Sequence, residues 1–400
     1  MKILHVIPSY EPAWAFGGTV SATSNLCRCL ARKGVDITVY TTDADGKGGH
    51  LDVPLNEEVD LGGVKALYFK CDFLVKKAFY SKQLYRKLSN NIQRFDIVHV
   101  SSIWQWHQVA VRKVCGKYDI PYIVTPHNSL SSRSMNLSKN TKKKIYWSIW
   151  SKNTIKKAKA LHFLCEGERK ISIHNILSIP SFLVPNAVDC NNYRRSFDNR
   201  LRQELGINQD KIVLLSVGRI HPTKRIELVL ESFIKLDQPD KFILLLIGPI
   251  MDENYHKFLQ TLIRSYNLEN KIRWIGFVDN KELVKFYSIA DSMILLSEFE
   301  GISMSSIEAL ATGIPLLISK GIANWEEIIK DGSGILIDHP YSIAEKLNQL
   351  SSGKINLKVI SQNARQSAEK RYDINKVTSL MIKAYEDVLT GRRSPELQWQ

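Results

Sequence analysis

The amino-acid sequence predicts an α/β protein made of two Rossmann-like, doubly wound parallel-sheet domains. Three observations carry that prediction. Short apolar runs of strand length alternate with helical patterns along most of the chain. Most of these runs lack polar alternation, as expected of strands covered by helices on both faces. The alternation breaks at Pro185-Asn186-Ala187-Val188-Asp189 and the polar stretch to Asn199, then restarts at Lys211. That break divides the chain into residues 1–190 and 191–373, each long enough to bury its own core.

Each element follows from its pattern. In the first half, Ile3–Ile7, Ile37–Thr41, Val64–Phe69, Ile97–Val100, Tyr122–Thr125, Leu161–Leu164 and Phe182–Val184 read as strands. The stretch from Tyr80 to Ile92 is typical of the helices between them. Tyr80, Leu84, Leu88 and Ile92 make an apolar stripe at four-residue spacing, with Lys82 and Arg86 opposite. In the second half, Val213–Val217, Phe242–Ile247, Ile272–Trp274, Met293–Leu296, Leu316–Ile318 and Ile335–Ile337 read as strands. Two helical patterns follow, centred near Ala364 and Leu380, and the tail after Thr390 reads as frayed.

Apolar content of 44% and charged content of 24% are those of a soluble globular protein. No apolar run has the length of a membrane span. The segment MKILHVIPSY is too short in its apolar part to be a signal peptide, so a cytoplasmic location is expected. Cys27, Cys29, Cys71, Cys115, Cys165 and Cys190 form no C-x-x-C pair and read as reduced, mostly buried thiols, and no metal cluster is evident. The net charge of +15 is uneven: residues 1–190 hold 27 Lys and Arg against 14 Asp and Glu, whereas residues 191–400 hold 28 against 26. An excess of +13 in one half points to an anionic partner, whether nucleic acid, acidic substrate or membrane surface.

The stretch Asp291 to Ser319, DSMILLSEFEGISMSSIEALATGIPLLIS, predicts strand, loop, helix and strand. Ligands of parallel sheets sit at strand carboxyl ends beside helix amino termini. That place holds Glu300, Gly301 and the amides of Ile302, Ser303, Met304 and Ser305, with Glu308 one to two turns into the helix. Helix-start amides suit a diphosphate, and carboxylates suit sugar hydroxyls, so the stretch fits a nucleotide sugar. Ser305 with Glu308 also has the spacing of a capping box, and Glu300 also fits an ordinary loop acid.

The block EGISMSSIEALATGIPLLIS resembles the E-x7-E motif of retaining glycosyltransferases of family 4, which have the GT-B fold. It departs from the usual E-G-F-G-L by Ile302 for Phe and Ser303 for Gly. SVGRIHPTKRIE, containing Arg219 and Lys224, resembles that family's V-G-R-x(4)-K-G, with Arg225 in place of the last Gly. The landmarks run in order over nearly the whole chain. The resemblance implies two domains facing a cleft, with a C-terminal helix (residues 374–390) crossing back to the first domain.

It implies further that a nucleotide-diphosphate sugar is the donor and that no cofactor or bound metal is required. Arg219 and Lys224 would clamp the diphosphate, a role suited to a guanidinium fork and an ammonium. Glu300 would lie at the transferred sugar and Glu308 at the ribose. The loops after Gly248 and around Phe277 would wrap the nucleoside. His127, which follows a buried strand in Thr125-Pro126-His127-Asn128, resembles the cleft histidine that contacts the donor sugar. The loop holding Glu11, Trp14, Gly17 and Gly18 would line the cleft, with Gly18 toward the donor and Glu11, Trp14, Gly17 and Asn128 on the acceptor side. Asp43-Ala44-Asp45 imitates a metal-binding D-x-D, but a polar turn with no third ligand in view is read here as solvated.

The implied activity is transfer of a sugar, with retention, to a glycan or lipid-linked glycan in bacterial surface polysaccharide synthesis. Rival readings are a sugar-nucleotide epimerase or phosphorylase-like enzyme on the same fold, and a basic nucleic-acid-binding protein. The last is disfavoured because no recognisable reading module is present. Residues 139–159 carry eight Lys and no acid, interleaved with Trp147 and Trp150. They fit either peripheral contact with an anionic membrane, at the inner face of the cell membrane, or a half-buried helix with a solvated basic rim.

Overall fold

A computed structural model describes residues 1–46, 48–72, 79–135, 141–172, 178–195 and 200–400. Lys139 and the end of the polar stretch at Asn199 lie outside the described residues. The chain separates into two compact units, Met1–Ala187 with Ile374–Gln400, and Val188–Asp373.

The first domain is built on β1 (Lys2–Ser9), β2 (Asp36–Thr42), β3 (Glu58–Asp60), β4 (Lys65–Phe69), β5 (Ile97–Ser101), β6 (Tyr122–Thr125), β7 (Ala160–Phe163) and β8 (Ser181–Leu183). They form one sheet in the order β3-β4-β2-β1-β5-β6-β7-β8, parallel except where β3 meets β4. The second domain holds β9 (Ile212–Val217), β10 (Phe242–Ile247), β11 (Ile272–Gly276), β12 (Ser292–Leu295), β13 (Leu316–Ser319) and β14 (Gly334–Ile337). Their order is β11-β10-β9-β12-β13-β14, all parallel. Strands such as Phe242–Ile247 are buried at every position, as their unbroken apolar text requires.

Three local expectations need correction. Tyr80 stands outside its helix, which begins at Lys82 behind the N-cap Ser81, whose Oγ accepts from the Leu84 amide at 3.2 Å. Tyr80 instead packs edge-on to Trp106, 4.5 Å between ring centroids. The edge strand β3 carries too little apolar text to be recognised. The tail after Thr390 is not frayed. Leu397 is buried, Trp399 donates its Nε1–H to Asp387 at 2.9 Å, and Gln400 exchanges backbone hydrogen bonds of 2.9 and 3.0 Å with Ser181. The helix Ile374–Thr390 contributes Val377, Met381, Ala384 and Tyr385 to the first domain's core beside Ile3, Ile37 and Phe182.

Candidate functional site

In the second domain the order of strands reverses between β9 and β12, and a doubly wound sheet accepts ligands at the carboxyl ends of such a pair. Lys224, in the short turn Pro222–Lys224 after β9, reaches Glu300 in the loop after β12. Its Nζ donates to Glu300 Oε1 at 2.7 Å and to Oε2 at 2.8 Å, and the Ser297 hydroxyl donates to Oε2 at 2.6 Å. Burial alone would raise the Glu300 carboxyl pKa. The Lys224 charge and hydrogen bond, the Ser297 bond and the nearby Arg219 charge outweigh it and hold the pKa below its ordinary value. Glu300 is therefore an ionised acceptor. Arg219 itself is exposed.

The backbone around this pair is closely packed. Gly218 and Gly248, at the ends of β9 and β10, have φ of 149° and 142°. A Cβ on Gly248 would lie 2.0 Å from the Gly218 carbonyl oxygen, so two chains meet there without side chains. Gly248 donates its N–H to Gly276 at 2.8 Å, and Phe277 next to it is exposed. Gly301 is half-buried, whereas Ile302, Ser303 and Met304 are buried.

The helix Met304–Ala311 starts at the N-cap Ser303, whose side chain makes no hydrogen bond to the helix amides. Ser305 Oγ lies 3.2 Å from the Val217 carbonyl and 2.8 Å from Ser303 Oγ. A carbonyl only accepts, so Ser305 donates to Val217 and receives from Ser303. The capping-box reading of Ser305 and Glu308 is thus corrected: Ser305 stands inside the helix and ties it to β9. Glu308 is buried and accepts from the Tyr287 hydroxyl at 3.0 Å, with a second bond from Tyr193. Burial raises its pKa, and the two phenolic bonds oppose that rise. Ser297, Tyr193 and Tyr287 carried no motif that singled them out in the sequence.

In the first domain the reversal lies between β1 and β5. Trp14 is exposed in the turn Trp14–Phe16, Gly17 is the N-cap and Gly18 the first residue of the helix Gly18–Arg32. Glu11 is buried and paired with Arg28, with its Oε1 lacking a partner among the described residues. Asp43 accepts from the Cys71 amide at 2.8 Å and pairs with His50 at 2.9 Å, while Asp45 accepts from the Gly49 amide at 2.9 Å. The solvated reading is therefore corrected at Asp43, which is buried, and both acids organise loops.

His127 follows β6 and its Nε2 lies 3.2 Å from Ser101 Oγ, which is also 2.9 Å from His5 Nε2. His5, His99, Ser101, Thr125, His127 and His162 line one small cavity. The hydrogen bonds beneath it have a fixed direction. The His162 Nε2–H must donate to the Val184 carbonyl at 2.7 Å, so in its neutral form Nδ1 accepts from Thr125 at 2.8 Å. Thr125 then receives from His99 Nε2–H at 2.6 Å, and His99 Nδ1 receives from the Tyr385 hydroxyl at 2.8 Å. Burial, with the mutual charge of neighbouring histidines, depresses the pKa of His5 and of His127 to about 3, and burial brings His162 to about 4. The signal in the text is a histidine inside three apolar strands: ILHVI, IVHV and ALHF.

The basic segment forms Thr141–Tyr146, a π-helical turn Trp147–Ser151, and Lys152–Lys156. Trp147 is buried, and Lys143 sits 4.6 Å over the Trp104 ring. Ile145, Ile149 and Trp150 remain 50%, 51% and 37% exposed, among the exposed Lys142, Lys144, Lys156 and Lys157.

Comparison with known proteins agrees with this geometry. The family model "Glycosyltransferase Family 4" matches residues 16–192, and "Glycosyl transferases group 1" matches residues 197–367. An uncharacterized glycosyltransferase of Methanocaldococcus jannaschii is 24% identical, over 96% of this chain and 98% of its own length. The D-inositol 3-phosphate glycosyltransferase of Kineococcus radiotolerans is 24% identical over 83% of this chain and 79% of its own. The crystal structure of Anabaena HepE in complex with UDP has a TM-score of 0.76 at 17% identity, covering 97% of this chain and 100% of that one. Sucrose-phosphate synthase of Thermosynechococcus elongatus has a TM-score of 0.78 at 16% identity, covering 98% and 100%. With two doubly wound sheets and these two models in succession, the chain belongs to the group 1 glycosyltransferases and has the GT-B fold.

Proposed function

We propose that this glycosyltransferase takes a sugar from a nucleotide-diphosphate sugar and transfers it, with retention, to a hydroxyl of a glycan or lipid-linked glycan. The observation that carries the reading is the Lys224–Glu300–Ser297 cluster with Arg219 at the β9/β12 strand ends. Arg219 and Lys224 face the donor diphosphate and stabilise the charge that develops as it leaves. Ionised Glu300 accepts from hydroxyls of the transferred sugar, and Glu308 from those of the ribose. In a front-face substitution the bond from the anomeric carbon to the diphosphate breaks. The acceptor oxygen bonds the same face, and the departing diphosphate takes its proton. The residues then have to position and neutralise, which suits a cluster rich in cations. UDP and UDP-glucose in the HepE complexes support a donor of this chemical class.

On the first domain, His127 contacts the donor sugar, and Trp14, Gly17 and Asn128 lie toward the acceptor. Ile145, Ile149 and Trp150 within a lysine field suit shallow contact with an anionic cytoplasmic leaflet, where lipid-linked precursors of surface polysaccharides are extended. The test is a panel of UDP-, GDP- and ADP-sugars scored by thermal shift, followed by product analysis. One class of donor should raise the melting temperature, and Lys224→Ala should abolish the rise. No shift with any donor at millimolar concentration would overturn the reading.

A further inference from the structure

His127 and Asn128 both turn left-handed, φ 47° and 63°, with no glycine in the turn. Asparagine and histidine enter this region more readily than most residues, but two in succession carry a backbone cost that their surroundings have to offset. The holding group is a carboxylate far along the chain. Glu168 Oε1 accepts the Asn128 N–H, and Oε2 accepts the Leu164 N–H at 2.9 Å. Glu168 is 1% exposed, in the short helix Glu166–Ile171 whose N-cap, Cys165, accepts the Glu168 amide on Sγ at 3.4 Å. Its partners among the described residues are backbone amides rather than a cation, and burial lifts its carboxyl pKa to about 7.

A buried carboxylate without a cation is a costly way to fill space. Its use lies in accepting from two amides at once. Glutamine, with one acceptor and one donor end, cannot do so. The turn also carries unspent chemistry: Asn128 Oδ1 is buried with no partner among the described residues, and His127 presents Nε2 to Ser101. We infer that Glu168 is a positioning residue of the first-domain site, pinning the His127–Asn128 turn to the end of β7 and so fixing the imidazole and the buried Asn128 side-chain Oδ1 for substrate. This rests on the reading above in which His127 contacts the donor sugar.

Glu168→Gln tests it, because it keeps the size but sets an amide N–H against one of the two backbone donors. Hydrogen exchange should be slow at the Asn128 and Leu164 amides of the native protein. In the variant at least one of the two should exchange roughly ten- to a hundredfold faster, the loss of one charge-assisted bond. Exchange in Phe242–Ile247 and affinity for the nucleoside diphosphate of the donor accepted in the panel should stay unchanged. With a donor accepted in the panel, kcat should fall about tenfold while the donor KM holds, a split that mere loss of stability does not produce. Native exchange at both amides in the variant, or a loosened turn with native kcat, overturns the proposal. If the glutamine variant does not fold, the native protein still decides, since an Asn128 amide exchanging like an open loop refutes the clamp. Exchange needs no donor, so a native enzyme inactive with every sugar nucleotide counts against the proposed function and leaves the clamp to be judged by its amides.

Discussion

Lys224→Ala should damage both stability and turnover, and the size of each loss follows from the pair it breaks. The Lys224 ammonium bonds both Glu300 oxygens, and the two side chains are 13% and 22% exposed. Breaking a fully buried pair costs about 3–5 kcal/mol. Water can reach a pair this exposed, so about 2 kcal/mol is expected for the folding of the second domain. For a unit the length of Val188–Asp373, that is a fall of roughly 4–8 °C in melting temperature. In a Glu300→Gln background the lysine truncation should cost far less, giving a coupling of about 1.5 kcal/mol in a double-mutant cycle. Burial alone would raise the Glu300 pKa, but Lys224, Ser297 and Arg219 hold it down, so the pair's stabilisation is full above the unfolded carboxyl pKa. It is lost as pH falls through the lower folded value. Turnover should drop roughly 10²–10³-fold through lost stabilisation of the leaving diphosphate. Scanning calorimetry on the four proteins and initial rates with the preferred donor measure both. Additive stabilities within about 0.5 kcal/mol, together with native turnover, would refute the reasoning.

Glu308→Gln should keep the fold, because glutamine still accepts from Tyr287, but weaken binding of the preferred donor's nucleoside diphosphate by about tenfold, measured by calorimetric titration; native affinity would remove the ribose assignment. Acid should destabilise the first domain. His5, His127, His107 and His162 stay neutral when folded down to about 3 or 4, so each costs up to about 1.4 kcal/mol per pH unit as pH falls below the unfolded value near 6.5. Glu168, raised to about 7, runs the other way and offsets one of them; urea unfolding at two pH values reads the balance, and equal midpoints would count against neutral histidines. Anionic liposomes should sediment the protein at low salt and release it at high salt, at about 1 kcal/mol per lysine near the surface. Ile149→Asp with Trp150→Asp should weaken that binding without changing affinity for the preferred donor, whereas equal recovery on neutral lipid would point to an acceptor free in solution.

The sheet frame was legible because most buried strands carry a short, mainly apolar run, and strands such as Tyr122–Thr125 and Phe242–Ile247 match their runs end to end. Glu58–Asp60 was not, since an exposed three-residue edge needs no apolar text. The second-domain site was half legible. Glu300, Arg219 and Lys224 stand out because they fall in segments that resemble the family's E-x7-E and V-G-R-x(4)-K-G motifs. Ser297, Tyr193 and Tyr287 are ordinary polar residues whose roles exist only once remote segments meet. Glu168 was invisible for the same reason, since its partner amide is 40 positions away. The order in the tail was missed because its anchors, Leu397 and Trp399, are isolated within a polar stretch.

The interrupted first domain has a consequence for how the protein is made. Its core needs Val377, Met381 and Tyr385, which the ribosome delivers only after the whole of Val188–Asp373 has been synthesised. At about 5–20 residues per second, the opening segment waits on the order of ten to forty seconds with one side of its sheet covered only in part, by residues such as Cys27 and Leu30. The second domain is continuous and has no such delay. In a cell, the order of completion is therefore the reverse of the order of synthesis: the half that emerges later closes its core first, and the half that emerges first spends that interval dependent on whatever shields nascent apolar surface.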